Sequence, residues 1–118
     1  MYSRNIIQHS ANSNYSVSNQ RDLVLDTAEN LTQVGQWTLN RFIPEKDRIE
    51  LYLRLIRKDI NALLSFPLST AFHPGFNDFC TRYEKMELEY QHGLVDRTAW
   101  ANRLIKWADV LTQSVKLI

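Results

Sequence analysis

The amino-acid sequence predicts an all-α fold, a four-helix bundle of antiparallel helices preceded by a flexible N-terminal tail. The chain has 118 residues, 44% of them hydrophobic, which is enough for one buried core. Only 3 Gly and 3 Pro interrupt it. No run alternates apolar and polar residues with the period of two that a half-buried strand requires. Four segments instead repeat apolar residues with the period of a helix.

The first twenty residues differ in composition from the rest of the chain. Residues 1–20 are rich in Ser and Asn and poor in charge and large apolar side chains, so we expect a flexible tail there. A single helical-bundle domain is expected over residues 21–118. The tail lacks the apolar run of roughly 7–15 residues of a secretory signal. No stretch approaches the ~18 apolar residues of a membrane span, so we expect a cytoplasmic protein and no membrane contact.

The first helix is predicted from about Asp22 to Ile43, because apolar residues recur along one face of that segment. Gly35 lies within this apolar face, where Ala would be the better helix former. The absence of a side chain at this position predicts a close crossing with another helix.

The second helix is predicted to begin at Pro44, since proline is compatible with a first helical turn, and to run to about Leu64. Besides its main apolar stripe it carries a second, smaller one, almost opposite, formed by Leu51, Leu55 and Ala62. A bundle helix normally needs only one apolar arc of about 100° or somewhat more. A second arc must therefore be covered by other residues of the chain or by another molecule.

This second stripe is the candidate interface of the protein. Leu51, Leu55 and Ala62 would form its apolar part, with Arg54 and Lys58 at the rim. Twofold homodimers are the commonest soluble oligomers, and a strip along a long helix suits that symmetry, so we expect a dimer or a contact with another protein. The alternative, that the loop Ser65–His73 covers the strip within one chain, stays open.

The third and fourth helices are predicted as an antiparallel hairpin. A loop from Ser65 to Pro74 should precede a helix over about Phe76–Gln91, with Gly93 suited to the left-handed cap. Asp96 is a suitable N-cap for the last helix. The connection between the two is short, as in helical hairpins.

Glu87 is the candidate buried carboxylate, because it falls in the middle of the apolar face of the third helix. An ionised carboxylate there is costly unless it is paired or hydrogen-bonded. We expect it to reach a tyrosine, an arginine or a helix N-terminus. The alternative is a catalytic acid, although no second inward carboxylate accompanies it.

Other catalytic and metal-binding patterns are incomplete. Glu89 and His92 match one half of a di-metal Glu-x-x-His motif, but no second copy exists and both should face water. Cys80 lies on an apolar stripe, where cysteines are usually inert. No Gly-rich phosphate loop or nucleophile elbow is present. The expectation is a protein that is not an enzyme and has no cofactor or metal.

Nucleic-acid binding is the alternative function, with the third and fourth helices as a helix-turn-helix. The charges oppose it, since the net charge is +1 and the fourth helix, which would be the recognition helix, exposes Arg103 and Lys106 beside Asp109. We therefore expect a non-enzymatic protein-interaction module, an adaptor or regulatory subunit that acts through a helical face.

Overall fold

The computed structural model describes the backbone of residues 2–118 and the side chains of residues 17–118. Four helices follow one another: α1 (Tyr2–Asn40), α2 (Lys46–Leu64), α3 (His73–His92) and α4 (Arg97–Ser114), and α4 continues into a short 3₁₀ turn, Val115–Leu117. Residues 2–118 contain no strand. The all-α four-helix fold predicted from periodicity is confirmed.

The four helices run up and down in sequence order around one core. α1 packs along α2 and, more extensively, along α4. Trp37 on α1 meets Tyr52 on α2 with ring centroids 4.9 Å apart, and Arg97 at the start of α4 lies over Phe42, just beyond the end of α1. In both contacts a residue at or near the end of α1 meets a residue in the first half of the other helix. Neighbouring helices are therefore antiparallel, as predicted. The core is lined by buried aliphatic and aromatic side chains from all four helices.

Gly35 marks the closest approach of α1 to α4. A Cβ atom at this position would lie 2.6 Å from Cγ1 of Ile105 and 3.0 Å from the carbonyl oxygen of Ala101. Since any side chain would collide with α4, the close helix crossing predicted from this glycine is confirmed.

The helix ends follow local chemistry. The Asp96 carboxylate accepts a hydrogen bond from the Ala99 N–H at 2.9 Å, which confirms the predicted N-cap of α4. Gly93 ends α3 with a φ of +95°, the left-handed region that favours glycine. Only residues 93–96 connect α3 to α4.

Three predicted boundaries are corrected. α1 ends at Asn40 and α2 begins at Lys46, because residues 42–45 form a turn that takes up Pro44. α3 begins at His73 instead of Phe76, with Pro74 in its first turn. That early start is stabilised by Phe72, which is buried and stacks on Phe76 with ring centroids 5.2 Å apart.

The last residues of the segment expected as a flexible tail are helical instead. Residues 17–20 belong to α1, and Gln20 is only 4% exposed, so the packed part of the chain begins before residue 21. The helix continues back to Tyr2. The side chains of residues 1–16 lie outside the described part of the chain.

Candidate interaction surfaces on α2

The outer strip of α2, formed by Leu51, Leu55 and Ala62, lies on the side of the helix opposite its buried residues. Leu51 is 44% exposed and Leu55 is 37% exposed, while Ala62 is half-buried. Arg54 and Lys58 are exposed at the rim. Two large apolar side chains one helical turn apart are thus open to solvent.

The loop between α2 and α3 does not cover the two leucines. Ser69 donates a hydrogen bond to the carbonyl oxygen of Leu117 at 2.7 Å and accepts one from the N–H of Phe72 at 3.1 Å. These bonds fix the loop against the 3₁₀ turn at the end of the chain. The described side chains therefore do not support the alternative in which the Ser65–His73 loop covers the strip within one chain.

The strip is bordered by Lys58, which is expected at its rim, and by three further charged residues, Asp47, Arg48 and Asp59. Asp47 and Lys58 project on one side of the line from Leu51 to Leu55, and Arg48 and Asp59 project on the other, given 100° per residue. Burial and the nearby carboxylate of Asp26 raise the pKa of Asp59. The sequence contains a signal for this arrangement, because Asp47 and Arg48 precede the centre of the strip by about as many residues as Lys58 and Asp59 follow it.

Glu87 is paired, as expected for a carboxylate on an apolar face. Its side chain is half-buried and forms a two-pronged ion pair with Arg57, which donates from Nε to Oε2 at 3.3 Å and from a terminal nitrogen to Oε1. The same guanidinium lies 5.4 Å from the ring centroid of Tyr83. The hydrogen bonds to Glu87 raise the pKa of Arg57, so both members are engaged within the bundle.

A groove runs between α2 and α3, because their backbones are held apart and long side chains span the gap. The Tyr83 hydroxyl donates to the carbonyl oxygen of Leu53, and the Tyr90 hydroxyl donates to Glu50, both at 2.9 Å. Burial raises the pKa of Tyr90, and the hydrogen bond to Glu50 raises it further. The groove encloses about 1000 Å³ and extends to the α1–α2 and α3–α4 turns.

Two of the other side chains considered for chemistry, Glu89 and Cys80, are engaged or shielded. Glu89 receives two hydrogen bonds from Arg103, at 2.8 and 3.2 Å, which occupies one of the cations considered for nucleic acid. Burial raises the pKa of the Cys80 thiol to about 11, far from the range of a nucleophile at neutral pH. Within residues 17–118 no three His, Cys, Asp or Glu side chains converge as a metal site.

The chain matches no family model, no curated protein and no solved structure. In the described part of the chain, no helix is both long and apolar enough to cross a bilayer. The geometry of α2 and its neighbours is therefore the basis for a functional assignment.

Proposed function

We propose that this protein is a non-enzymatic interaction module, an adaptor or regulatory subunit, which associates through the outer strip of α2. The observation that carries the proposal is the exposure of Leu51 and Leu55 on a helix whose opposite face already fills the core. Exposed apolar side chains that are grouped, rather than scattered, mark contact surfaces. The engagement of Glu87 with Arg57, and the raised pKa of Cys80, support the non-enzymatic part.

The partner that fits the strip is a second copy of the chain. In an antiparallel twofold pairing of two α2 helices, Leu51 of one copy meets Leu55 of the other. This register places Asp47 near Lys58 of the second copy on one side, and Arg48 near Asp59 on the other. Each pair occurs twice by symmetry, so four complementary charge pairs flank one apolar centre.

Asp59 gives a further reason for this register. Its carboxylate lies near that of Asp26, and the resulting repulsion adds to the effect of burial in raising its pKa. An arginine from a second copy would lower the free energy of the ionised form. Lys58 of the same chain already lowers the pKa of Asp59 in part, and the arginine of a second copy would add to that effect.

Leu55→Glu tests the apolar centre. Sedimentation equilibrium should show a concentration-dependent dimer for the wild type and a folded monomer for the variant, because each new carboxylate would face Leu51 of the other copy and lose its hydration in the apolar centre. Leu88→Glu is the matched control, since Leu88 is 49% exposed on α3, away from the strip, and should leave the dimer intact. A wild-type chain that stays monomeric at ~100 µM would contradict the homodimer.

Charge reversal tests the register. Asp47→Lys and Lys58→Asp should each weaken the dimer, because each places like charges opposite one another. The double variant should recover most of the wild-type association, since twofold symmetry then exchanges both signs. If the double variant is weaker than either single one, the proposed register is wrong.

A further inference from the structure

We infer that the groove between α2 and α3 is a binding site for an acidic amphipathic helix of another protein. The site shares only Arg54 with the rim of the outer strip of α2 and does not depend on self-association. It combines an apolar surface, an excess of cations and an open channel between two helices.

The apolar surface lies where two turns of the bundle meet. Phe42 follows α1, Leu94 and Val95 follow α3, and Leu53 contributes from α2. Val95 is fully exposed, and the neighbouring Ile43 is 74% exposed. Large apolar side chains at this end of the groove are thus available to a ligand.

The charges of the groove favour an anionic ligand. Lys46, Arg54, Arg57 and Arg97 line it, against Glu50 and Glu87. Both carboxylates are already engaged, Glu87 by Arg57 and Glu50 by the Tyr90 hydroxyl. Within residues 17–118, no carboxylate lies within 4.0 Å of the charged nitrogens of the other three cations, Lys46, Arg54 and Arg97.

Arg97 shows how cation and apolar surface are combined. Its guanidinium lies 4.8 Å from the centroid of the Phe42 ring, which orients it at the mouth of the groove. An arginine held in this way loses less conformational freedom when it binds a carboxylate. Carboxylates along one edge of a ligand helix would meet Arg97 and Lys46 while its apolar face covers Leu94 and Val95.

A helical ligand fits this channel better than an extended one. Strand addition requires a free sheet edge, and residues 2–118 contain no strand. A channel between two helices instead accepts the apolar face of a third, which contacts it through residues at i, i+3, i+4 and i+7. A nucleic-acid strand fits less well because it has no aliphatic face to cover Leu94 and Val95.

The probe is a designed amphipathic peptide with leucines at i, i+3, i+4 and i+7 and glutamates on the flanking positions. Its control has the same leucines with lysine in place of every glutamate. Titration of the full chain, followed by fluorescence anisotropy and amide chemical shifts, should show binding of the acidic peptide. The shifted amides should include Leu94, Val95 and Arg97. Equal binding of the lysine peptide would overturn the proposal.

The double charge reversal Lys46→Glu/Arg97→Glu should weaken binding of the acidic peptide by roughly tenfold or more. Glutamate near the start of a helix is compatible with the helix dipole, so the fold should be retained, which circular dichroism checks. The matched control Lys85→Glu/Lys106→Glu changes the net charge equally at exposed positions outside the groove and should leave affinity within about twofold.

Two further results separate this site from other ligands and from the outer strip. A single-stranded oligonucleotide of matched charge should bind more weakly than the acidic peptide, and tighter binding would overturn the assignment. The monomeric Leu55→Glu variant should bind the peptide as the wild type does, because Leu55 does not line the groove. Failure of the groove and failure of the dimer are therefore distinguishable.

Discussion

The α1–α4 and α2–α3 pairs of the bundle are held together in opposite ways. α1 and α4 approach through small residues, with Gly35 against the backbone of Ala101 and with Ala28 and Ala108 also buried. α2 and α3 keep their backbones apart and are joined by the long side chains of Tyr83, Tyr90 and the Arg57–Glu87 pair.

This difference explains where surface is available for binding. At Gly35 the backbones of α1 and α4 leave no room for even a methyl group, and the cavity that remains between these helices, about 540 Å³, is roughly half the volume of the α2–α3 groove. At the α2–α3 contact, side chains that span a wide gap leave a groove above them. Rigid close packing on one side of a small domain thus allows the opposite side to stay open without losing the core.

The largest expected effect on the free energy of unfolding comes from removing the side chain that fills the space between α2 and α3. Tyr83 is fully buried and fills the gap between α2 and α3, so Tyr83→Ala should lower the free energy of unfolding by about 3–5 kcal/mol. Urea denaturation measures it. Tyr83→Phe is the control, which removes only the hydrogen bond to Leu53 and should cost about 0.5–1.5 kcal/mol. An alanine variant that loses less than ~1 kcal/mol would show that α2 and α3 close on the vacated space.

The close contact should respond to added volume instead. Gly35→Ala should cost about 1–3 kcal/mol in packing, because the new methyl group collides with Ile105 and with the backbone of Ala101. Alanine gains about 1 kcal/mol in helix propensity, so the net effect should be a loss of up to about 2 kcal/mol.

Gly75→Ala is the control for that substitution. Gly75 also lies in a helix, but nothing is within 4 Å of the position its Cβ would occupy. Alanine there should be neutral or should stabilise by up to about 1 kcal/mol. If both glycine substitutions raise the thermal midpoint, then α4 can move away from α1 and the contact is not as close as described.

The close contact could be predicted from sequence, whereas the open one could not. Gly35 on an apolar face is a local signal, and so are the caps Asp96 and Gly93, which the structure confirms. Each signal can be identified from residues a few positions away, although the residue that Gly35 meets, Ala101, is distant in the chain. Pro74 is predicted as the end of a loop, but proline also suits a first helical turn, and the structure places it in α3 directly after the buried Phe72.

The α2–α3 groove depends on residues that are distant in the chain. Arg57 and Glu87 are thirty residues apart, and their pairing follows from the register of α2 against α3. Phe42 and Arg97 meet only because the two turns lie at the same end of the bundle. The sequence could show that Glu87 needed a partner, but periodicity alone does not identify which cation meets it.

The smallest expected effects are the coupling energies of two ion pairs that involve α3. Arg57–Glu87 spans the open contact with side chains 33% and 21% exposed, whereas Arg103–Glu89 joins α3 to α4 with side chains 48% and 43% exposed. Double-mutant cycles with Arg57→Met and Glu87→Gln, and with Arg103→Met and Glu89→Gln, measure the coupling energy of each pair at neutral pH.

We expect a coupling of about 1 kcal/mol for Arg57–Glu87 and about 0.5 kcal/mol or less for Arg103–Glu89, because water and salt screen the more exposed pair. Repeating both cycles in 1 M NaCl should reduce the second coupling proportionally more than the first. Equal couplings would mean that the α2–α3 contact is as solvated as the protein surface. The side chains that span the groove would then owe their position to Tyr83 and Tyr90 and not to the ion pair.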